Sequence, residues 1–298
     1  MKTAKLVHNP GAGDEEHAKE ELIAQIKAAG FNCEYASVKR WFWNTIKDDV
    51  DFIIVAGGDG TVRKVARELL DRKILDKMFP IAILPLGTAN NISKTLHIEG
   101  EAEDIIQSWH KGNKKKYDIG KINNVKGGSF FMESFGYGLF PYLMQEMEKQ
   151  DKASIDTTEK SIKTALQVLH ANTLSYQPRD CKLIIDEKDY SGKYMLAEVM
   201  NIRSIGPNLF LSPDGDPGDG EMEVVLLPEE DKHKFAAYLQ CKINGNEENY
   251  DFKNVKARNV TISWDGTHVH ADDEVLKIEG NTEVGIEVKP GLLEFLVP

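Results

Sequence analysis

Val55-Ala56-Gly57-Gly58-Asp59-Gly60-Thr61 is the stretch that decides the fold. Ile53, Ile54 and Val55 read as a buried strand, and Val62 to Leu70 follows with apolar residues on one side, the pattern of a helix. Glycines at that junction let main-chain N–H groups turn inward without Cβ interference, and a helix N-terminus behind them favours negative charge. A carboxylate among the glycines is out of place if the loop binds phosphate alone. It makes sense where the loop also handles a metal or the proton of an attacking hydroxyl. The combination points to a nucleotide-dependent phosphotransferase.

Working outward, the first part of the chain alternates strand and helix signals. Lys5–His8 predicts a strand, Asp14–Ala29 an amphipathic helix stopped by Gly30, Cys33–Ser37 a second strand and Trp41–Asp48 a short helix. The strand at Phe52–Val55, the helix at Thr61–Arg72 and the strand at Ile81–Leu84 complete the pattern. Such alternation implies a largely parallel sheet with helices on its faces, whose ligands sit beyond the carboxyl ends of the strands. Two more turns fall there: Asn9-Pro10-Gly11-Ala12-Gly13 and Gly87-Thr88-Ala89-Asn90. Each alone reads as a plain strand-to-helix turn or an N-cap. Three of them after strands of one sheet argue against accident.

Near Asp118 the character changes. Short strands dominate: Asp118–Ile122, Ser129–Ser134, Lys182–Asp186, Met195–Asn201, Glu221–Leu227, Asn259–Trp264 and Glu283–Val288, with a helical interruption over Lys152–Ala171. Strands run together after an α/β region predict a second, β-rich domain. Phe130, Phe131, Phe135, Tyr137, Leu139, Phe140, Tyr142, Leu143 and Met144 supply apolar surface in one segment, most of it a β-domain core and a subset suited to an acyl channel. Lys111 and Lys114 to Lys116 form the one dense basic run, a headgroup contact or, as the plainer reading, a solvated loop.

Composition narrows the partners. The 298-residue chain carries a net charge of −11, which argues against nucleic acid, since a phosphate backbone needs a basic footprint. Three scattered cysteines, Cys33, Cys181 and Cys241, suit a reducing compartment. No stretch approaches a membrane span, and the N-terminus lacks a signal-peptide pattern, so the expectation is a cytoplasmic protein that meets lipid peripherally.

The remaining acids divide by context. Asp59 is bracketed by glycines and invites a functional role, whereas Asp118 by itself reads as a strand-start acid. Asp214, Asp216 and Asp219 lie in an acid- and glycine-rich loop whose oxygens suit Mg²⁺ or Ca²⁺, or which is an ordinary solvated turn. Asp272-Asp273-Glu274 reads as another turn, or as carboxylates aimed at a cleft. There is no Walker loop, no dinucleotide fingerprint and no zinc spacing among the histidines; His97 and His170 read as surface or packing residues.

In their order these motifs resemble the diacylglycerol kinase catalytic family, which includes bacterial lipid kinases and sphingosine kinases. The likeness runs through Asn9-Pro10, Gly57 to Thr61, Gly87 to Asn90, Asp118-Ile119-Gly120-Lys121, Phe135-Gly136-Tyr137-Gly138, Pro213 to Met222, Asp272 to Glu274 and the terminal Pro290-Gly291…Pro298. Gly-Gly-Asp-Gly-Thr is shared with NAD kinases; the later motifs are those of the lipid-kinase branch. The resemblance implies a three-layer α/β, NAD kinase-like nucleotide-binding domain over residues 1–117 plus 290–298, the C-terminal strand returning to it. A β-rich sandwich domain for the lipid is implied over 118–289, with the reacting hydroxyl in the cleft between them. It further implies ATP with Mg²⁺, nucleotide contacts from Asn9, Gly57, Gly58, Gly60, Thr61, Gly87, Thr88 and Asn90, and catalytic carboxylates at Asp59, Glu274 and Asp118. Asp59 is favoured as the base and Glu274 as an organiser of metal or water. A separate cation is implied at Asp216, Asp219 and Met222. The partner implied is a lipid at the membrane surface, and a homodimer is allowed.

Three positions depart from the family pattern: Ala12 where Ser is usual, Asn91 where Asp is usual, and Asp273 where Gly is usual. The last puts a side chain where a positive φ is expected, which Asp tolerates better than most residues. Two rival readings follow: a soluble-substrate kinase of the NAD kinase type, and a catalytically weak lipid-binding or regulatory protein.

Overall fold

The computed structural model describes residues 1–12, 19–72, 77–150, 157–246 and 250–298. They form two compact units, Met1–Tyr117 with Gly291–Pro298, and Asp118–Pro290.

The first unit is built on β1 (Thr3–His8), α1 (Lys19–Ala28), β2 (Asn32–Ser37), β3 (Phe52–Gly57), α2 (Asp59–Leu70), β4 (Ile81–Pro85), α3 (Asn91–Thr95) and α4 (Ala102–Ser108). Its strands are all parallel in the order β2-β1-β3-β4, and the C-terminal strand joins the edge with Phe295 opposite Ile81. β3 is buried at every position, which is why it reads as one apolar run: both faces of a parallel sheet are covered. On α2 the buried residues Val62, Val65 and Ala66 recur at helical spacing. The helix begins at Asp59, two residues before the sequence places it, because the Gly58 carbonyl already accepts from the Thr61 and Val62 N–H groups.

Two expectations in this unit need correction or limits. Residues Trp41–Asp48 are a chain of turns and not a helix; Phe42 has φ 62, which a right-handed helix does not admit. The beginning of the Asp14–Ala29 helix and Gly13 of the first turn lie outside the described residues, and α1 is observed from Lys19.

The chain passes from the first unit to the second within β5 (Lys114–Asn123). Lys114 to Lys116 are therefore strand residues and not a solvated loop; Lys114 pairs with Glu294 at 3.0 Å. The second unit continues with β6 (Phe130–Phe131), β7 (Ser134–Gly138), α5 (Leu139–Glu148), α6 (Thr158–Ser175), β8 (Arg179–Ile185), β9 (Lys188–Asp189) and β10 (Gly192–Met200). A hairpin of β11 (Ser204–Ile205) and β12 (Leu209–Phe210) follows, then β13 (Met222–Pro228), α7 (Lys232–Ile243), β14 (Lys253–Ala257), β15 (Asn259–Trp264), β16 (His268–Ala271), β17 (Glu274–Lys277) and β18 (Val284–Leu296).

Its pairings are antiparallel, in the order β17-β16-β7-β10-β8-β15-β18, with β13 also joined to β10 and to β14. β10 is the hub. Residues of one face of this framework, among them Phe135, Tyr137, Ala197, Val199, Ile262 and Trp264, form one core; Leu196, Met200, Val225 and Leu227 pack against α5, α6 and α7 in another. Alternation along β10 and β13 sends successive side chains to the two cores. The expected strand at Ser129–Ser134 is split into β6 and β7. α5 begins at Leu139, just after Gly138 with φ 90, and carries Pro141 in its first turn, where proline is tolerated. Among the described residues no helix is long and apolar enough to cross a membrane.

The last strand anchors the first unit through Phe295, which is fully buried with its ring centroid 4.9 Å from that of Tyr117. Phe295→Ala should lower unfolding free energy by about 3–5 kcal/mol, measured as a shift of the urea midpoint. A change under about 0.5 kcal/mol would contradict this packing.

Candidate functional site

In the first unit the three strand-end turns are bonded to one another. Asn9, at the end of β1, donates its main-chain N–H to the Ala56 carbonyl at 2.9 Å and its side-chain amide to Thr61 Oγ1 at 3.2 Å. Thr61 is buried in the first turn of α2, so the first and second turns are held side chain to side chain. Gly58 and Gly87 touch: a Cβ built on Gly87 would lie 2.3 Å from the Gly58 Cα. No other residue type fits either position unless the two turns move apart.

The third turn is tied by Asn90, which has φ 53. Its Oδ1 accepts from the Gly87 N–H at 2.9 Å, and its amide donates to the Gly87 carbonyl at 2.7 Å and to the Pro85 carbonyl at 3.3 Å. Asp59 then closes the arrangement. Its Oδ2 accepts from the Asn91 N–H at 2.9 Å and its Oδ1 from the Ile92 N–H at 3.0 Å. The carboxylate thus holds the start of α3, satisfying donors that a helix leaves unpaired. Gly57 is buried, Gly60 is the second residue of α2, and Thr88 is the exposed tip of the third turn. The α2 N-terminus itself has no side-chain cap, which leaves its first N–H groups and dipole to favour an anion.

Two cations beside these turns escaped the sequence reading. The Lys39 ammonium lies 3.2 Å from where a Gly11 Cβ would stand, over the first turn. Lys94, on α3, is half-buried; burial lowers its pKa, and Asp59 and Glu99 oppose that shift. Lone lysines give no pattern signal, and only the fold shows which turn they face.

In the second unit the acids singled out from sequence are also anchors. Asp118 is 1% exposed; its main-chain N–H donates to the Pro217 carbonyl at 2.5 Å and its Oδ2 accepts from the Gly220 N–H at 2.7 Å. Asp216 Oδ1 accepts from the Gly218 N–H at 3.0 Å and Asp219 Oδ1 from the Glu221 N–H at 2.9 Å, while Asp219 Oδ2 meets Lys256 Nζ at 3.2 Å. The Met222 side chain is core. Among the described residues no three His, Cys, Asp or Glu side chains gather as a metal cage. The side chains of this loop do not fit a cation: a lysine already supplies the positive charge.

The Asp272-Asp273-Glu274 segment is the turn between β16 and β17. The residue with positive φ is Asp272, at 53°, and not Asp273, where the expectation placed it. Compensation comes from its carboxylate, which accepts from the N–H groups of Met132 at 3.0 Å, Glu133 at 2.7 Å and Ser134 at 3.2 Å. Asp273 is exposed and Glu274, opening β17, is half-buried. Asn201, not foreseen, links this turn's support to Asp118: its amide donates to the carbonyls of Met132 at 2.8 Å and Asp118 at 2.9 Å.

Also unforeseen is a buried pair. His270 Nε2 lies 2.5 Å from Glu198 Oε1, and His270 Nδ1 lies 2.9 Å from the Asp272 carbonyl oxygen. Burial pulls the imidazole pKa down, but the charge and hydrogen bond of Glu198, with the Asp272 carbonyl, outweigh it and leave the pKa raised. Both ring nitrogens face acceptors, so the imidazolium donates twice.

Two family descriptions match successive regions of the chain. Residues 3–122 match the diacylglycerol kinase catalytic domain, and residues 150–297 match the YegS C-terminal NAD kinase beta sandwich-like domain. A protein of Staphylococcus aureus (strain MSSA476) named "Putative lipid kinase" is 26% identical over 250 residues, which are 83% of this chain and 77% of that protein. A counterpart in strain MW2 gives the same figures. A crystal structure titled "putative diacylglycerol kinase from Bacillus anthracis str. Sterne" superposes with a TM-score of 0.73 at 22% identity, covering 100% of this chain and 97% of that one. A second from the same organism reaches 0.74 at 24% identity, with the same coverage, so the fold is shared.

Gly87→Ala should destabilise the protein by about 1–3 kcal/mol, while Thr88→Ala, at the exposed tip, should stay within about 0.5 kcal/mol; equal effects in chemical denaturation would refute the glycine contact. A pH dependence follows from His270. Because its folded pKa is raised, its contribution is complete below the unfolded value of about 6.5 and is lost as pH rises through the folded pKa. The melting temperature should therefore fall on the alkaline side of that window in the wild type, and His270→Gln should lack that component.

Proposed function

Since the chain belongs to the diacylglycerol kinase catalytic family, we propose that it transfers the γ-phosphoryl group of ATP to the hydroxyl of a membrane lipid such as diacylglycerol or a sphingoid base. The observation that carries this reading is the mutual lock of the three strand-end turns around Asp59 in front of the uncapped α2 N-terminus. Asn9, Gly57, Gly58, Gly60, Thr61, Gly87, Thr88 and Asn90 are the residues we assign to the nucleotide, and Lys39 and Lys94 add positive charge for its phosphates. The second unit, Asp118–Pro290, is assigned to the lipid.

Phosphoryl transfer asks little covalent work of the protein, so positioning and charge neutralisation dominate. When bound with ATP, Mg²⁺ supplies part of that neutralisation. Main-chain N–H groups at the start of α2 hold phosphate oxygens. Both oxygens of the Asp59 carboxylate are engaged by main-chain N–H groups, those of Asn91 and Ile92. We therefore assign proton acceptance from the lipid hydroxyl to Glu274, at the turn between β16 and β17, while Asp59 keeps the nucleotide turns in register. Asp118 contributes by fixing the loop at Pro217 and Gly220. A second cation at Asp216, Asp219 and Met222 would have to rest on main-chain carbonyls.

Incubation with ATP, Mg²⁺ and a total lipid extract, followed by mass spectrometry, should reveal a phosphorylated lipid. Asp59→Asn and Glu274→Gln should each lower kcat by about 10²–10⁴-fold with the fold retained. Phosphorylation of NAD in place of lipid, or lipid extraction without transfer, would refute the proposal.

A further inference from the structure

The motif Phe135-Gly136-Tyr137-Gly138 has a physical reason that its sequence does not display. In the sheet, Gly136 on β7 lies directly opposite Glu198 on β10 and opposite His270 on β16. The three residues form one row across three strands, and the middle one has no side chain. A Cβ at Gly136 would stand 2.0 Å from Glu198 Oε2. Because it is absent, the Glu198 side chain crosses over the central strand and meets the imidazole of His270 on the far side.

The pair is sealed. Side-chain exposure is 0% for Glu198 and 2% for His270, and the Phe140 ring lies 6.2 Å from the imidazole centroid to centroid. Among the described residues the buried Glu198 Oε2 has no hydrogen-bond partner, and the carboxylate's compensation comes from His270 through Oε1. Such an arrangement is weak as a source of stability, since well-packed apolar residues of similar size do as well or better. What it does achieve is directional. The outer ring nitrogen of His270 points at the carbonyl of Asp272, the residue in left-handed conformation that begins the turn into Glu274. On its other side that residue is held by three main-chain N–H groups from Met132 to Ser134. The turn is gripped at its carbonyl by His270 on β16 and at its carboxylate by the segment that joins β6 to β7.

We propose that Glu198 and His270, joined over Gly136, are positioning residues that fix the Asp272–Glu274 turn and thereby orient the Glu274 carboxylate for proton acceptance. The proposal rests on the assignment of Glu274 to the reaction. Glu198 and His270 themselves touch neither substrate nor reacting atom.

The decisive variant is the double replacement Glu198→Met/His270→Leu, which removes both charges at once and leaves neither partner stranded. It is compared with Glu198→Gln and with the wild type for melting temperature, kcat, KM for ATP, and hydrogen exchange of the Asp273 and Glu274 amides. The expected result is a folded double variant with a melting temperature near the wild type, KM for ATP unchanged, kcat reduced about 10²-fold and faster exchange at both amides. Glu198→Gln should shift kcat and exchange in the same direction. A double variant with wild-type kcat and exchange overturns the proposal, and so does one that fails to fold, because the pair would then be core structure. Should wild-type protein transfer nothing to lipid, or Glu274→Gln be fully active, the assignment of Glu274 fails separately; unchanged exchange in the double variant still overturns the grip on the turn.

Discussion

The contact between the α-carbons of Gly58 and Gly87 is the constraint on which the first unit depends. It brings the turn after β3 against the turn after β4 at a distance that no side chain permits. Only at that separation can the carboxylate of Asp59 reach the N–H groups of Asn91 and Ile92 and start α3. The helix that follows is short, and such a segment has little stability of its own, so its place is set from outside by the turn. Asn9 and Asn90 extend the same logic: each uses its side-chain amide to bond main chain or a hydroxyl of a neighbouring turn. The result is a rigid rim at the carboxyl end of a parallel sheet, where ligands of such sheets are held.

The second unit solves a similar problem with carboxylates in place of glycine contacts. Asp118 and Asp272 are both buried, and both accept from main-chain N–H groups of segments distant in sequence. Asn201 ties the two together through the carbonyls of Asp118 and Met132. Charge-assisted bonds of this kind are among the stronger hydrogen bonds available. They are placed where strands end and irregular backbone begins. Asp59, Asp118 and Asp272, acids that the sequence singles out, each hold main-chain N–H groups in place.

Much of the architecture was open to reading from the residues. Buried parallel strands such as β3 and β4 are continuous apolar runs, and glycine-rich turns mark their ends, so alternation and turn positions were visible together. The segment Trp41–Asp48 was misread because aromatic content and length mimic a short helix, while the left-handed residue that breaks it, Phe42, carries no glycine or asparagine to announce it. α5 was hidden inside an aromatic stretch that suits a β-core equally well, and α7 inside a segment with only a weakly amphipathic pattern. The positive φ was expected at Asp273 because glycine is usual there; it falls at Asp272, where the carboxylate can be satisfied by three N–H donors.

The sequence by itself determined the class of fold, the order of the two regions and the family, because periodicity and short motifs are local and survive without coordinates. It also singled out Asp59, Asp118, Asp272 and the glycines of the strand-end turns. Only the tertiary structure decided what each of them touches: that Asp59 caps a helix thirty-odd positions along the chain, that Lys256 occupies the charge position of the Asp219 loop, and that Glu198 and His270 meet over a glycine. The reason is register. Which residues stand opposite one another across strands depends on how distant segments pair, and a shift by one residue would send every one of these side chains to the other face.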